Sequence, residues 1–269
     1  MPGSRQRLVT PALILDLDSL EANIAAMAAH CRTHGIALRP HAKTHKSVRI
    51  ARLQLDAGAT GICCATIGEA EVMVRAGIPG VLLTSPVVQP AGIARLVRLH
   101  EAARGLMVAV DNPVNAVAIA EAAAAGQTTV KVLVDFDIGL GRTGTATVGD
   151  AVALALLVRD TPGIEFAGLQ GYAGHLQHIE SFASRKELGD AQIAKLAEVV
   201  RALEAEGLAP RIVSGGGTGT HDIDHVAGVF TELQAGSYTV MDVEYDDVEL
   251  RPGSLRPPFA NALFVRARS

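Results

Sequence analysis

Short apolar runs rich in β-favouring residues alternate along the chain with longer Ala-rich stretches whose apolar positions recur at helical spacing. The runs predict strands at Leu13 to Leu15, Ala37 to Pro40, Gly61 to Ala65, Val81 to Thr84, Leu106 to Val110, Val130 to Asp135, Phe166 to Tyr172, Arg211 to Ser214 and Glu232 to Tyr238. Helices are predicted between them, over Ser19 to His34, Gly68 to Ala76, Pro90 to Ala103, Pro113 to Ala125, Val148 to Arg159 and Lys186 to Glu206. The first is expected to be capped by Asp18 or Ser19. This alternation predicts an α/β fold, a (β/α)8 TIM-like barrel, with a doubly wound open sheet as the alternative. From about Asp242 the pattern stops, leaving an acidic stretch Asp246-Asp247-Val248-Glu249, a Pro-rich turn Arg251 to Pro258 and a lone apolar run Phe259 to Val265. With no partner nearby in sequence, that last run reads as the way into a second domain beyond the barrel.

The bulk composition narrows the setting. A chain of 269 residues with 49% hydrophobic content supports one large domain with an aliphatic core. No run of about 18 apolar residues lacks charge or glycine, and the N-terminus lacks the apolar segment of a secretion signal, so a soluble, cytoplasmic protein without membrane contact is expected. Net charge of -4, dispersed basic residues and few aromatics argue against nucleic acid as a partner. Cys31, Cys63 and Cys64 lack the number for a disulfide framework and the spacing of a zinc knuckle. In a strand, Cys63 and Cys64 would point to opposite faces, as buried small hydrophobes.

Barrels of this kind carry their chemistry just beyond the C-terminal ends of the strands. Lys43 stands there, in Arg39-Pro40-His41-Ala42-Lys43-Thr44-His45-Lys46, where partial desolvation and the neighbouring cations Arg39 and Lys46 would lower its pKa and favour the nucleophilic amine. Local sequence alone fits a solvated basic loop at least as well. Ser214-Gly215-Gly216-Gly217-Thr218-Gly219-Thr220 follows a strand directly, and its glycines let backbone N–H groups converge on an anion while threonine hydroxyls add donors. It lacks the Lys-Ser/Thr ending of a nucleotide-triphosphate loop. Gly139-Leu140-Gly141-Arg142-Thr143-Gly144 matches GxGxxG, but it lies in mid-chain and not after the first strand, so Arg142 reads better as a cation aimed at an anionic oxygen. His175 and His178 follow another strand and offer a general base. His221-Asp222-Ile223-Asp224-His225 has the residue types of a divalent-metal cluster, although such runs after a glycine loop more often dress a helix N-terminus.

Together, Arg39-Pro40-His41 with Lys43 to Lys46, Gly139 to Gly144, Gln177-His178-Ile179, Ser214 to Thr220, and Glu232 to Tyr238 with Met241-Asp242 make the chain, from Thr10 onward, resemble the fold-type III pyridoxal-phosphate enzymes. The resemblance is to the D-threonine aldolase and 3-hydroxyaspartate aldolase family. It implies an alanine racemase N-terminal-type barrel over residues 1–241, followed over 242–269 by a linker and the first strand of a C-terminal β domain. Lys43 would hold pyridoxal 5'-phosphate as a Schiff base, Arg142 would face its 3'-oxygen and Tyr172 its pyridine nitrogen. Gly216, Gly217 and Thr218, with Ser214, Gly236, Ser237 and Tyr238 close by, would hold the phosphate. His178 would take the β-hydroxyl proton of a D-3-hydroxy amino acid in a retro-aldol cleavage, or would help to place a metal-bound water that takes it. The implied alternatives are 3-hydroxy-D-aspartate cleavage to glycine and glyoxylate, a D-serine dehydratase-like reaction, and a cofactor-binding barrel without turnover. Family members carry a divalent metal on their C-terminal domain and form homodimers. The resemblance therefore implies compromised turnover in a chain without that domain, and no metal ligand is expected among the residues here.

Overall fold

The computed structural model describes residues 8–103, 105–253 and 257–267. Eight parallel strands form its sheet: β2 (Ala37–Leu38), β3 (Ile62–Cys64), β4 (Val81–Leu83), β5 (Met107–Val110), β6 (Val130–Asp135), β7 (Ile164–Gly171), β8 (Ile212–Gly215) and β9 (Glu232–Leu233). They run in the order β2-β9-β8-β7-β6-β5-β4-β3. The ring closes where His41 bridges to Cys63 beyond β2, with Thr60 N–H donating to the Leu38 carbonyl and Cys63 N–H to that of Pro40. Cys63, Leu82, Met107, Leu133 and Ala167 fill the inside, while the alternate strand residues, Cys64 among them, pack outward against the helices. The two cysteines thus occupy opposite faces, as strand geometry requires. One residue interrupts the regular ladder: Ala167 bulges from β7 as the register shifts beside Val132 and Leu133. A Cβ on the next residue, Gly168, would lie 1.9 Å from the Ile212 carbonyl oxygen, so only glycine fits there.

The outer layer consists of α1 (Leu17–His34), α2 (Val48–Asp56), α3 (Ile67–Arg75), α4 (Pro90–Ala102), α5 (Pro113–Ala125), α6 (Val148–Asp160), α7 (Phe182–Ala205) and the single turn α8 (His221–Asp224). Among the described residues no helix is long and apolar enough to cross a membrane. Three differences from the sequence reading have physical causes. The cap of α1 is Asp16, which accepts from Ser19 N–H at 3.1 Å, so Asp18 and Ser19 lie within the first turn. Helix α2 was not anticipated; Ser47 caps it and it buries Ile50, Ala51 and Gln54. The apolar run at the start of the chain, β1 (Ala12–Leu15), stands outside the barrel and pairs antiparallel with β10 (Leu263–Arg266). The late run therefore does have a strand partner, some 250 residues earlier. The segment between barrel and β10 packs down through buried Tyr245, Val248, Leu250 and Phe259.

Candidate active site

Three turns meet at the C-terminal mouth of the barrel. The first follows β2 as a 3-10 turn over Ala42–Thr44, capped by His41, whose Nδ1 accepts from Lys43 N–H at 3.3 Å. His41 is fixed in turn by its Nε2, 3.1 Å from Thr84 Oγ1. The Lys43 side chain reaches across the open mouth and sets Nζ 5.0 Å from the centre of the Tyr172 ring. Burial by the surrounding walls and the nearby Arg142 guanidinium lower its pKa, in that order, although the residue keeps contact with solvent. The sequence reading assigned that cationic influence to Arg39 and Lys46. Arg39 instead points into the barrel and grips Glu232 through Nε and Nη2 at 2.8 Å each, and Lys46 is paired with Glu69.

The second turn carries Arg142, whose Cζ lies 5.9 Å from the Tyr172 ring centre. Carboxylates brace this loop: Asp137 accepts from Gly139 and Gly141 N–H, Asp135 from the Thr143 hydroxyl at 2.8 Å, and Asp111 from Gly144 N–H at 3.1 Å. Gly144 is required, since at φ 104 a Cβ would fall 2.4 Å from the Asp137 nitrogen. Burial raises the Asp135 carboxyl to about 6, opposed by its bonds from Gln170 and Thr143. From Asp135 a buried polar chain crosses the barrel through Gln170, Gln234 and Ser214 to Glu232 and Arg39. This chain ties the Arg142 loop to the floor beneath Lys43.

The third is the glycine loop after β8. It is no flexible turn. Gly219 N–H donates to Gln177 Oε1 at 2.8 Å, and Gly217 N–H to Asp224 Oδ2 and Thr220 Oγ1 at 3.2 Å each. A Cβ on Gly217 would lie 2.4 Å from Gln177 Oε1, and one on Gly219 2.1 Å from the Gln177 carbonyl. Thr218 Oγ1 accepts from Tyr238 N–H at 3.0 Å, and Gly236 packs so closely on the Lys43 turn that a Cβ would be 2.9 Å from the His41 carbonyl. The N–H groups of Gly216, Thr218 and Ser237 find no protein acceptor among the described residues. Convergent glycines with unspent backbone donors fit a bound oxyanion such as a phosphate. Fully buried Asp224 lies beneath this loop; burial raises its pKa to about 7, so its negative charge against such an anion is reduced.

The remaining candidates divide. Ser214 spends its hydroxyl inward, donating to Glu232 and accepting from Gln234. Tyr238 touches the cradle only through its backbone; its ring is wholly buried and its hydroxyl accepts from Gln54 at 2.9 Å. Tyr172 is half-buried between Lys43 and Arg142. His175 is exposed. His178 stands on the exposed rim, 3.6 Å from Glu244, its ring 4.5 Å from that of Tyr245. Sequence reasoning quoted Gln177 in a motif without seeing that it braces the glycine loop, and missed Tyr245, buried with its phenol facing Ser237. The chain has only three tyrosines, and all three lie around this end of the barrel, a signal that could have pointed to Tyr245.

Comparison with known proteins places this arrangement. Residues 15–243 match the alanine racemase N-terminal domain. The chain is 42% identical to a 3-hydroxy-D-aspartate aldolase of Paracoccus denitrificans (strain Pd 1222), over 98% of this chain and 70% of that protein. It is also 42% identical to a D-threonine aldolase of Arthrobacter sp, over 97% of this chain and 68% of the relative. Among solved structures, the D-threonine aldolase from Filomicrobium marinum superposes with a TM-score of 0.91 at 40% identity, covering 96% of this chain and 68% of the other.

Proposed function

Since the chain belongs to the family of the alanine racemase N-terminal domain, we propose that it is a pyridoxal-phosphate-dependent lyase that cleaves a D-3-hydroxy amino acid, of the D-threonine type, to glycine and an aldehyde. The observation that carries this reading is the convergence of Lys43, Tyr172 and Arg142 beside a glycine loop with unspent backbone donors. When bound, the cofactor supplies the electron sink that Cα–Cβ cleavage needs.

This chain's residues then have separable tasks. Lys43 provides the amine that anchors the cofactor, and its lowered pKa raises the neutral, nucleophilic fraction. Arg142 would face the cofactor's phenolic oxygen with a fixed positive charge. Tyr172 would lie by the ring nitrogen; being a phenol, and one whose pKa burial raises, it would leave that nitrogen without an acidic partner. The N–H groups of Gly216, Thr218 and Ser237 would receive the phosphate, with Gly217 and Gly236 letting the loop pack closely on Gln177 and on the Lys43 turn. His178 removes the proton from the substrate's β-hydroxyl.

The reading keeps residues 1–241 as the cofactor barrel and 242–269 as linker and first strand of a C-terminal β domain, in a homodimer. A divalent metal at the substrate hydroxyl belongs to this proposal, and none of its ligands is assigned among the described residues. The test is glycine release from D-threonine and from D-3-hydroxyaspartate, the substrate types of the two relatives. Glycine with acetaldehyde or with glyoxylate is the expected outcome. Release of glycine from neither substrate by the cofactor-loaded enzyme with its C-terminal domain and divalent metal in place would overturn the lyase reading in favour of a binding barrel.

A further inference from the structure

Two helical segments face each other in the outer layer, and each carries a pair of histidines four residues apart, the spacing that puts both on one helix face. His30 and His34 close α1, while His221 opens α8 and His225 caps it. The ring centres of His34 and His225 are 3.7 Å apart, and His30 lies 4.6 Å from His34, 4.9 Å from His221 and 5.1 Å from His225. One ligand atom from each of His30, His34 and His225 falls within 4.8 Å of the others, and so does one from each of His30, His221 and Asp222.

The hydrogen bonds fix which nitrogens are free. His221 Nδ1 must donate to the Thr218 carbonyl, 2.8 Å away, so Nε2 keeps a lone pair; that atom is buried and has no hydrogen-bond partner. His225 Nδ1 donates to the His221 carbonyl at 3.2 Å, again leaving Nε2 free. His30 Nε2 donates to the same carbonyl at 3.0 Å, which turns an unprotonated Nδ1 toward Asp222 Oδ1 at 3.6 Å. Asp222 Oδ2 accepts from Arg251 Nε at 3.4 Å, which leaves Oδ1 facing the His30 lone pair, two acceptors that a shared cation can bridge. Histidines held by backbone carbonyls with the second nitrogen bare are arranged as metal ligands are.

We propose that His30, His34 and His225, with His221 and Asp222 on the inner side, form a site for a late first-row divalent ion, Zn2+ foremost. Imidazole nitrogens suit that class, and three with an added water complete a tetrahedron. His34 is exposed and gives an ion entry from solvent. The site is separate from the substrate chemistry at Lys43 and adjoins the glycine loop, through the chain from Thr220 to His221 and the bond from His221 to the Thr218 carbonyl.

The test titrates the untagged 269-residue chain with Zn2+ by calorimetry, and with Co2+ by visible absorption. About one ion per chain and a tetrahedral Co2+ spectrum are expected. His34→Ala and His225→Ala should each weaken binding by about 100-fold, since losing a ligand costs at least as much as losing its supporting bond. Circular dichroism checks the fold of each variant, and His34→Gln replaces His34→Ala if the latter unfolds. The exposed trio His178, Asp242 and Glu244 also brings three donors within 4.8 Å. Absence of binding, or binding lost in His178→Ala and kept in the other variants, overturns the proposal.

Discussion

Replacing Arg142 by Met removes one of two positive charges held over the Tyr172 ring while keeping much of the side-chain volume. Lys43 Nζ is 5.0 Å and Arg142 Cζ 5.9 Å from that ring centre, so the charges are no more than about 11 Å apart. At an effective dielectric constant of about 20 their repulsion is about 1.5 kcal/mol, or roughly 1 pKa unit. Solvent and salt at the open mouth, with a Debye length of about 10 Å, reduce the effect toward half a unit. The pKa of Lys43 should therefore rise by about 0.5 to 1 unit in Arg142→Met. Competitive acetylation of the cofactor-free chain over a range of pH, followed by mass spectrometry of the Lys43 peptide, reads that pKa directly. Lys46→Met is the control and should leave it unmoved, because Lys46 is exposed and already paired with Glu69. An unchanged or lower Lys43 pKa in Arg142→Met would refute the reasoning.

Two further predictions concern the supports of the site. Among the described residues, Arg39→Met leaves buried Glu232 with only the Ser214 hydroxyl as side-chain partner, which should cost about 3–5 kcal/mol in urea unfolding. Adding Glu232→Gln should restore most of the loss, and a single variant within about 1 kcal/mol of the parent would contradict the paired-charge account. Asp224, at about 7 folded against about 3.9 unfolded, contributes stability that is complete below the lower value and is lost as pH rises through the higher. Asp224→Asn keeps an acceptor for Thr220 and Gly217 but cannot ionise. In the cofactor-free chain it should gain on the parent by about 2.6 kcal/mol between about pH 5 and about pH 8, and a pH-independent difference would contradict the buried-acid assignment.

Much of this arrangement was legible in the sequence because it depends on local spacing. Lys43, the Arg142 loop and the glycine loop each follow an apolar run by a few residues, and barrel geometry does the rest. What was not legible depends on long-range packing. Arg39 looked like a cation beside Lys43, yet one step along a strand reverses the side-chain direction and sends it to Glu232. Tyr238 sits in a matching motif but turns its ring toward Gln54, which belongs to the unanticipated α2. Ser47, followed by the apolar spacing of Val48, Ile50 and Ala51, was a usable start signal for that helix, masked by the basic run before it. β1 finds its partner only at Leu263–Arg266, a pairing with no local trace. The metal-type residues of the His221 to His225 run, read in sequence as helix dressing, have His30 and His34 as neighbours only through the fold.

The central claim is that Lys43 carries the cofactor. Adding pyridoxal phosphate to the purified chain and recording its absorption before and after borohydride tests this, with Lys43→Ala alongside. The expected result is an internal Schiff-base band that borohydride removes, a covalent adduct on the Lys43 peptide by mass spectrometry, and neither in the variant. The same band and adduct persisting in Lys43→Ala would contradict the account.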